Sequence, residues 1–265
     1  MEKDYISLVL FTVLSQTAVG SLILREILLY PANNFQHSRE FRVFSLLFTG
    51  IIIAFAIGAA FLHLGKQSAS VYTLRNLRNS WLSREILFTI AFSLTVLLYW
   101  FNEKFLNLNA LNFLLSLTGI ITGAGLLVSM SAIYMLPAVP SWNSPLTPVS
   151  FFVTAAAGGM SVLAILYAGY GPGLNRIFLV ILSLTILLSL VSSGFMVSSA
   201  KGTVILTLFT IRIATGLTAL LLIYLIYFKI IPNKIPPLTV LLITVLLTEM
   251  AGRVIFFLNY HKSGL

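Results

Sequence analysis

Apolar residues along this chain fall in long unbroken runs, separated by short polar stretches rich in turn-forming residues. A helix needs about 20 mostly apolar residues to cross roughly 30 Å of hydrocarbon. Runs of that kind lie at about 5–29, 41–63, 84–101, 109–134, 148–168, 175–198, 203–228 and 236–258, the third short and the seventh long. An outer-membrane barrel would alternate apolar and polar positions instead. The pattern predicts an all-α fold: a polytopic transmembrane bundle of eight helices, forming one integral membrane domain over 1–265.

Most links are short and punctuated: Pro31-Ala32-Asn33-Asn34, Asn102-Glu103-Lys104, Gly171-Pro172-Gly173, and Pro232 to Pro237. Two are longer. The second, about 64–83, carries the densest basic cluster; the fourth, about 135–147, is uncharged and, counting Pro148, holds four of the nine prolines. Two helices separate these loops, so both lie on one side of the membrane and form a candidate lid or docking surface. Small residues dot the fourth helix (Gly119, Gly123, Gly125) and the fifth (Ala155 to Gly159). Close helix packing accounts for them.

Composition agrees with the pattern. Hydrophobic residues make up 58% of the chain and charged ones 9%, against about 25% charged in a soluble domain. The first run is read as a true helix and not a signal peptide. It lacks a basic start, its apolar stretch is too long, and Arg25 and Glu26 stand where a small-residue cleavage site belongs. With no cysteine, the chain has no disulfide, thiolate-held iron–sulfur cluster or Cys-ligated zinc. The net charge of +9 points to anionic lipid head groups or a docked soluble partner, not nucleic acid. Loop charges do not orient the bundle. Seven basic residues lie on the side of the N-terminus (Lys3, Lys66, Arg75, Arg78, Arg84, Lys201, Lys262) and seven on the other (Arg25, Arg39, Arg42, Lys104, Arg176, Lys229, Lys234).

Charges inside hydrocarbon are costly and face a bundle interior or a wet cavity. Glu249 and Arg253 lie deep in the last helix at a spacing that lets them pair on one face, and Arg212 lies inside the seventh. A structural network and a proton or substrate path are both open readings. His63 ends the second helix and Glu85 begins the third, so both reach the same rim. Imidazole titrates near neutral pH, which suits acid–base work. Gln16 in the first helix is a candidate for hydrogen bonding between helices. Three histidines, His37, His63 and His261, give no facing pair at membrane depth for a bis-imidazole haem. No Walker A or HExxH motif occurs, and GYGPG at 169–173 is read as a loop.

FLHLGK (61–66) followed by LRNLRNSWLSREIL (74–87) resembles the stretch joining helices two and three in membrane anchor subunits of the DMSO reductase family. VPSWNSPLTPVSFFVTAAAGG (139–159) and TEMAGRVIFF (248–257) resemble that family's fourth loop with fifth helix and its last helix. The resemblance implies a quinol-oxidising subunit that holds a molybdopterin catalytic subunit and a four-cluster iron–sulfur subunit on the cytoplasmic (inner) membrane. It implies that menaquinol binds in this chain, with no haem or metal here, and that electrons pass to the iron–sulfur subunit. His63, Gly65 and Glu85 match the family's quinol-binding positions, with Lys66 and Arg84 beside them. Tyr134 matches a tyrosine ending helix four, and Arg212, Glu249 and Arg253 match charged positions of the last two helices. Arg75, Arg78 and Trp142 would dock the iron–sulfur partner on a face outside the cytoplasm. The chain departs from the family at Gln67, Ser68 and Ala69, where Pro and Arg are common, and at Ala132, where Arg is common; Lys66 and Arg75 are candidates for supplying the missing charge. The competing readings are a secondary transporter or ion channel using Arg212, Glu249 and Arg253, and a purely structural anchor.

Overall fold

The computed structural model describes residues 2–29, 38–63, 74–171, 174–197 and 203–260. Eight helices account for nearly all of them: α1 (Glu2–Leu29), α2 (Arg39–His63), α3 (Trp81–Phe101), α4 (Asn109–Tyr134), α5 (Leu146–Tyr170), α6 (Arg176–Val197), α7 (Thr203–Tyr227) and α8 (Ile235–Leu258). Seven are long and apolar enough to cross a membrane, and α6 is apolar over 176–192. The all-α polytopic fold expected from the runs of apolar residues is the fold observed.

Helix ends extend beyond the apolar runs where local chemistry caps them. α3 begins at Trp81, three residues ahead of the expected start, because the Ser80 hydroxyl accepts the Ser83 N–H at 3.2 Å. α8 opens with Pro236 and Pro237, whose missing N–H groups cost nothing in a first turn. α3 runs into one π turn, Asn102–Leu106, which closes at Asn107 in the left-handed region (φ 52°). Asparagine is among the few residues that tolerate that conformation. The Asn102 amide fastens the turn by donating to Leu108 O (3.1 Å) and Asn112 Oδ1 (2.6 Å).

Packing divides the helices into two four-membered rings. In the first, α1 packs on α2, α2 on α3, α3 on α4 and α4 back on α1; in the second the same order links α5, α6, α7 and α8. Two hydrophobic cores largely follow the rings, with Phe151, Ala155, Phe256 and Phe257 of the second ring joining the first core and Leu29 and Phe41 of the first ring joining the second. α1 and α5, the most buried helices, join them along a seam of small residues. A Cβ on Gly20 would strike the Ala155 backbone carbonyl, one on Gly159 the Gly20–Ser21 backbone, and one on Gly158 the Thr17 side chain. Without a hydrophobic driving force between helices in lipid, such close approach is what holds them.

Candidate functional site

The face bearing the long second and fourth loops is built around the start of α3 and the end of α4. Arg84, in the first turn of α3, folds back: its Nε–H donates to Leu77 O (2.9 Å), Nη2 donates to Arg78 O (2.7 Å), and the guanidinium lies 4.2 Å over the Trp81 ring. It therefore fastens the 74–80 segment to the helix. Glu85, one residue on, faces the bundle interior and is 6% exposed. Among the described residues its carboxylate has no hydrogen-bond partner; only its backbone carbonyl is used, by Thr89. Tyr134, closing α4, lies within electrostatic reach of both Glu85 and Arg253, and its hydroxyl likewise has no partner among the described residues. Its ring is packed by Trp142, Phe151, Phe256 and Phe257 at centroid separations of 5.4 to 5.7 Å.

Trp142 roofs this cluster. Its indole N–H donates to Phe256 O at 2.8 Å and its ring stacks on Phe256 at 5.3 Å and 14°. The Ser141 hydroxyl donates to Asn259 O at 2.6 Å. The fourth loop is thus tied to the end of α8, and Trp142, expected to dock a partner, has its N–H and one ring face engaged within the chain. Arg75 and Arg78 are exposed on the same face. His63 closes α2 on this side, with its side chain outside the described residues; Gly65, Lys66, Gln67, Ser68 and Ala69 also lie outside them.

Beneath the rim is a polar network that crosses between the rings. Arg253 donates from Nη2 to Gln16 Oε1 (2.9 Å) and lies 3.7 Å over the Phe151 ring, while Gln16 donates to Met130 Sδ (3.3 Å). Glu249 accepts from Thr154 Oγ1 (2.6 Å) and Ser189 Oγ (2.5 Å). Arg212 Nη2 donates to Ser189 Oγ (2.7 Å) and Ser189 O (3.0 Å). Ser189 therefore bridges Arg212 to Glu249. Glu249 and Arg253 line one cavity of about 20 Å³, but no Glu249–Arg253 ion pair within 4.0 Å occurs among the described residues. The pairing expected from their spacing gives way because the carboxylate turns toward α5 and α6 and the guanidinium toward α1.

A second buried cluster, at the opposite face, was not singled out from the sequence. Arg25 is fully buried and donates to Ser45 Oγ (2.7 Å), Tyr99 Oη (3.2 Å), Arg42 O (3.3 Å) and Glu26. Glu103 lies 3.7 Å from Arg25 and accepts from Arg42 Nε at 3.1 Å. Ser116 donates to Glu26 Oε2 at 2.6 Å. Every helix of the first ring contributes, so Arg25 and Arg42, counted above as loop charges, are structural. The adjacent Arg25-Glu26 pair ending an apolar run was the available signal.

Among the described residues, no group of three or more His, Cys, Asp or Glu could hold a metal ion. Glu85 offers a buried acceptor, Tyr134 a donor or acceptor, and the aromatic residues around Tyr134 an apolar wall.

Fold and sites together define a polytopic helical membrane protein with one polar rim site and no metal-ligand set of its own among the described residues. The model of the DMSO reductase anchor subunit (DmsC) family matches residues 1–258, and the chain belongs to that family. It is similar to a polypeptide of the anaerobic dimethyl sulfoxide reductase of Haemophilus influenzae (30% identical over 165 residues, 58% of this chain and 56% of that protein). It is also similar to YnfH, an anaerobic dimethyl sulfoxide reductase polypeptide of Escherichia coli (29% over 153 residues, 57% and 54%). A third relative is a sulfite dehydrogenase subunit of Allochromatium vinosum (31% over 147 residues, 51% and 45%). The chain spans about half the length of the relatives it matches.

Proposed function

We propose that this anchor subunit binds menaquinol at the rim formed by the ends of α2, α3 and α4 and delivers its electrons to a four-cluster iron–sulfur subunit beside a molybdopterin catalytic subunit. The observation that carries the reading is that two buried residues able to hydrogen-bond, Glu85 and Tyr134, lie within electrostatic reach of each other on the face where α2 ends in His63. Bound there, menaquinol supplies two electrons and two protons on oxidation.

Glu85 accepts a hydrogen bond at its carboxylate and takes up one proton, which its place at the start of α3 lets it release to water. Tyr134 holds the far oxygen through its hydroxyl and keeps the ring against the aromatic wall. His63 takes the second proton at its imidazole, and Gly65 and Lys66, which follow it in sequence, belong to the same site. Arg84 acts indirectly, by holding the loop that carries Arg75 and Arg78, which meet the iron–sulfur partner. The docking face lies outside the cytoplasm, so protons leave on that side of the inner membrane.

The interior network is less suited to transport, since the cavity it lines among the described residues is about 20 Å³, room for a single small species. The test uses the complex purified from membranes. His63→Ala and Glu85→Gln should abolish or sharply reduce turnover driven by a menaquinol analogue and leave dye-driven turnover intact. Unchanged quinol-driven turnover in both variants would reject the site; isolation of the chain without iron, molybdenum or two soluble subunits would reject the complex.

A further inference from the structure

The interior cavity has a property that the quinol reading does not use. Arg212 and Arg253, 6% and 4% exposed, both line it, and each retains an Nε–H donor that meets no acceptor among the described residues. Among the described residues lining the cavity, Glu249 is the one carboxylate, and its two oxygens are already engaged by Thr154 and Ser189. Two guanidiniums against one carboxylate leave an excess positive charge at membrane depth, where an uncompensated ion is costly. We propose that the cavity binds one small monovalent anion of halide type, chloride being the available species, between Arg212 and Arg253.

Size and chemistry agree. About 10–15 Å³ admits one water-sized sphere, so about 20 Å³ leaves room for one small ion. Gly252, with no side chain, makes room for the Arg212 guanidinium at the cavity wall. Ser150 and Ser192 also face it, and their hydroxyls donate to Thr147 O (2.8 Å) and Ser189 O (2.9 Å) of their own helices. Either hydroxyl turns toward an anion by rotation about one bond. Water alone would satisfy the two Nε–H groups and leave the charge excess in place. An anion addresses both.

The full chain, purified and placed in lipid nanodiscs, tests this through thermal unfolding at constant ionic strength with chloride, bromide or gluconate as the only anion. The unfolding midpoint should rise saturably with chloride and bromide and not with gluconate, since a ligand of the folded state stabilises it by mass action. Arg253→Gln should remove the halide response. Glu249→Gln, which deletes the repelling charge, should bind halide roughly tenfold more tightly. Identical midpoints in all three salts for the unmodified chain mean water only and overturn the proposal, as does a halide response that survives Arg253→Gln or weakens in Glu249→Gln. Should Arg253→Gln fail to fold, the unmodified chain and Glu249→Gln decide the matter.

Discussion

The guanidinium of Arg212, on α7, occupies the place a Cβ would take on Gly252 of α8. One helix thus reserves a hole in its own surface for a charge carried by its neighbour. From there Arg212 reaches Ser189 on α6, so three helices of the second ring converge on one side chain.

Gly252→Ala should therefore expel Arg212 from its seat. Overpacking a tight interior costs about 1–3 kcal/mol, and the displaced guanidinium would lose its bonds to Ser189 as well. A lowered unfolding midpoint in detergent is the expected reading, and an unchanged midpoint would show that the close approach is dispensable.

Tyr134→Phe separates packing from hydrogen bonding. The ring keeps its neighbours Trp142, Phe151, Phe256 and Phe257, so assembly and thermal stability should change little. Quinol-driven turnover should fall roughly tenfold, the weight of about one lost hydrogen bond of 1–1.5 kcal/mol. Steady-state rates with quinol and with dye, measured side by side, check this.

Arg25→Met should be far more damaging than Arg42→Gln. Arg25 is fully buried beside Glu26 and Glu103, and removing one partner of a buried ion pair costs about 3–5 kcal/mol. The Arg42 side chain is 19% exposed, so water can replace part of what it gives Glu103. Membrane accumulation and thermal stability of the two variants should rank accordingly.

Trp142→Phe deletes one N–H donor and keeps an aromatic ring over Phe256. The loss should be about 1 kcal/mol, felt locally as looser attachment of the 135–145 loop. Limited proteolysis of that loop should quicken, with quinol-driven turnover reduced only moderately. A loop as resistant as before would mean that Ser141 and its bond to Asn259 O suffice to hold it.

The helices were legible because hydrocarbon leaves a segment little choice: about 20 apolar residues cross it as a helix. Their polar contacts were less legible, for reasons particular residues show. Arg84 and Glu85 are neighbours in sequence and suggest a single site, but successive residues on a helix point about 100° apart. One is spent on a loop and the other faces inward. Glu249 and Arg253 stand four apart, yet Glu249 is held by Ser189, 60 residues away, and Arg253 by Gln16, 237 residues away. Position along the apolar runs identified Arg212, Glu249 and Arg253 as buried, and only the assembled bundle identifies their partners. Arg25 was missed for the complementary reason: at the end of an apolar run it reads as a loop charge, while Tyr99 and Glu103 lie far along the chain.

Where Gly20 meets Ala155 and Gly159 meets Gly20, main chain touches main chain with no side chain between. A boundary of that kind has no rotamers with which to absorb displacement. Any shift at the rim transmitted to the second ring must move α1 and α5 together at this contact, and enlarging either glycine would force the two main chains apart there.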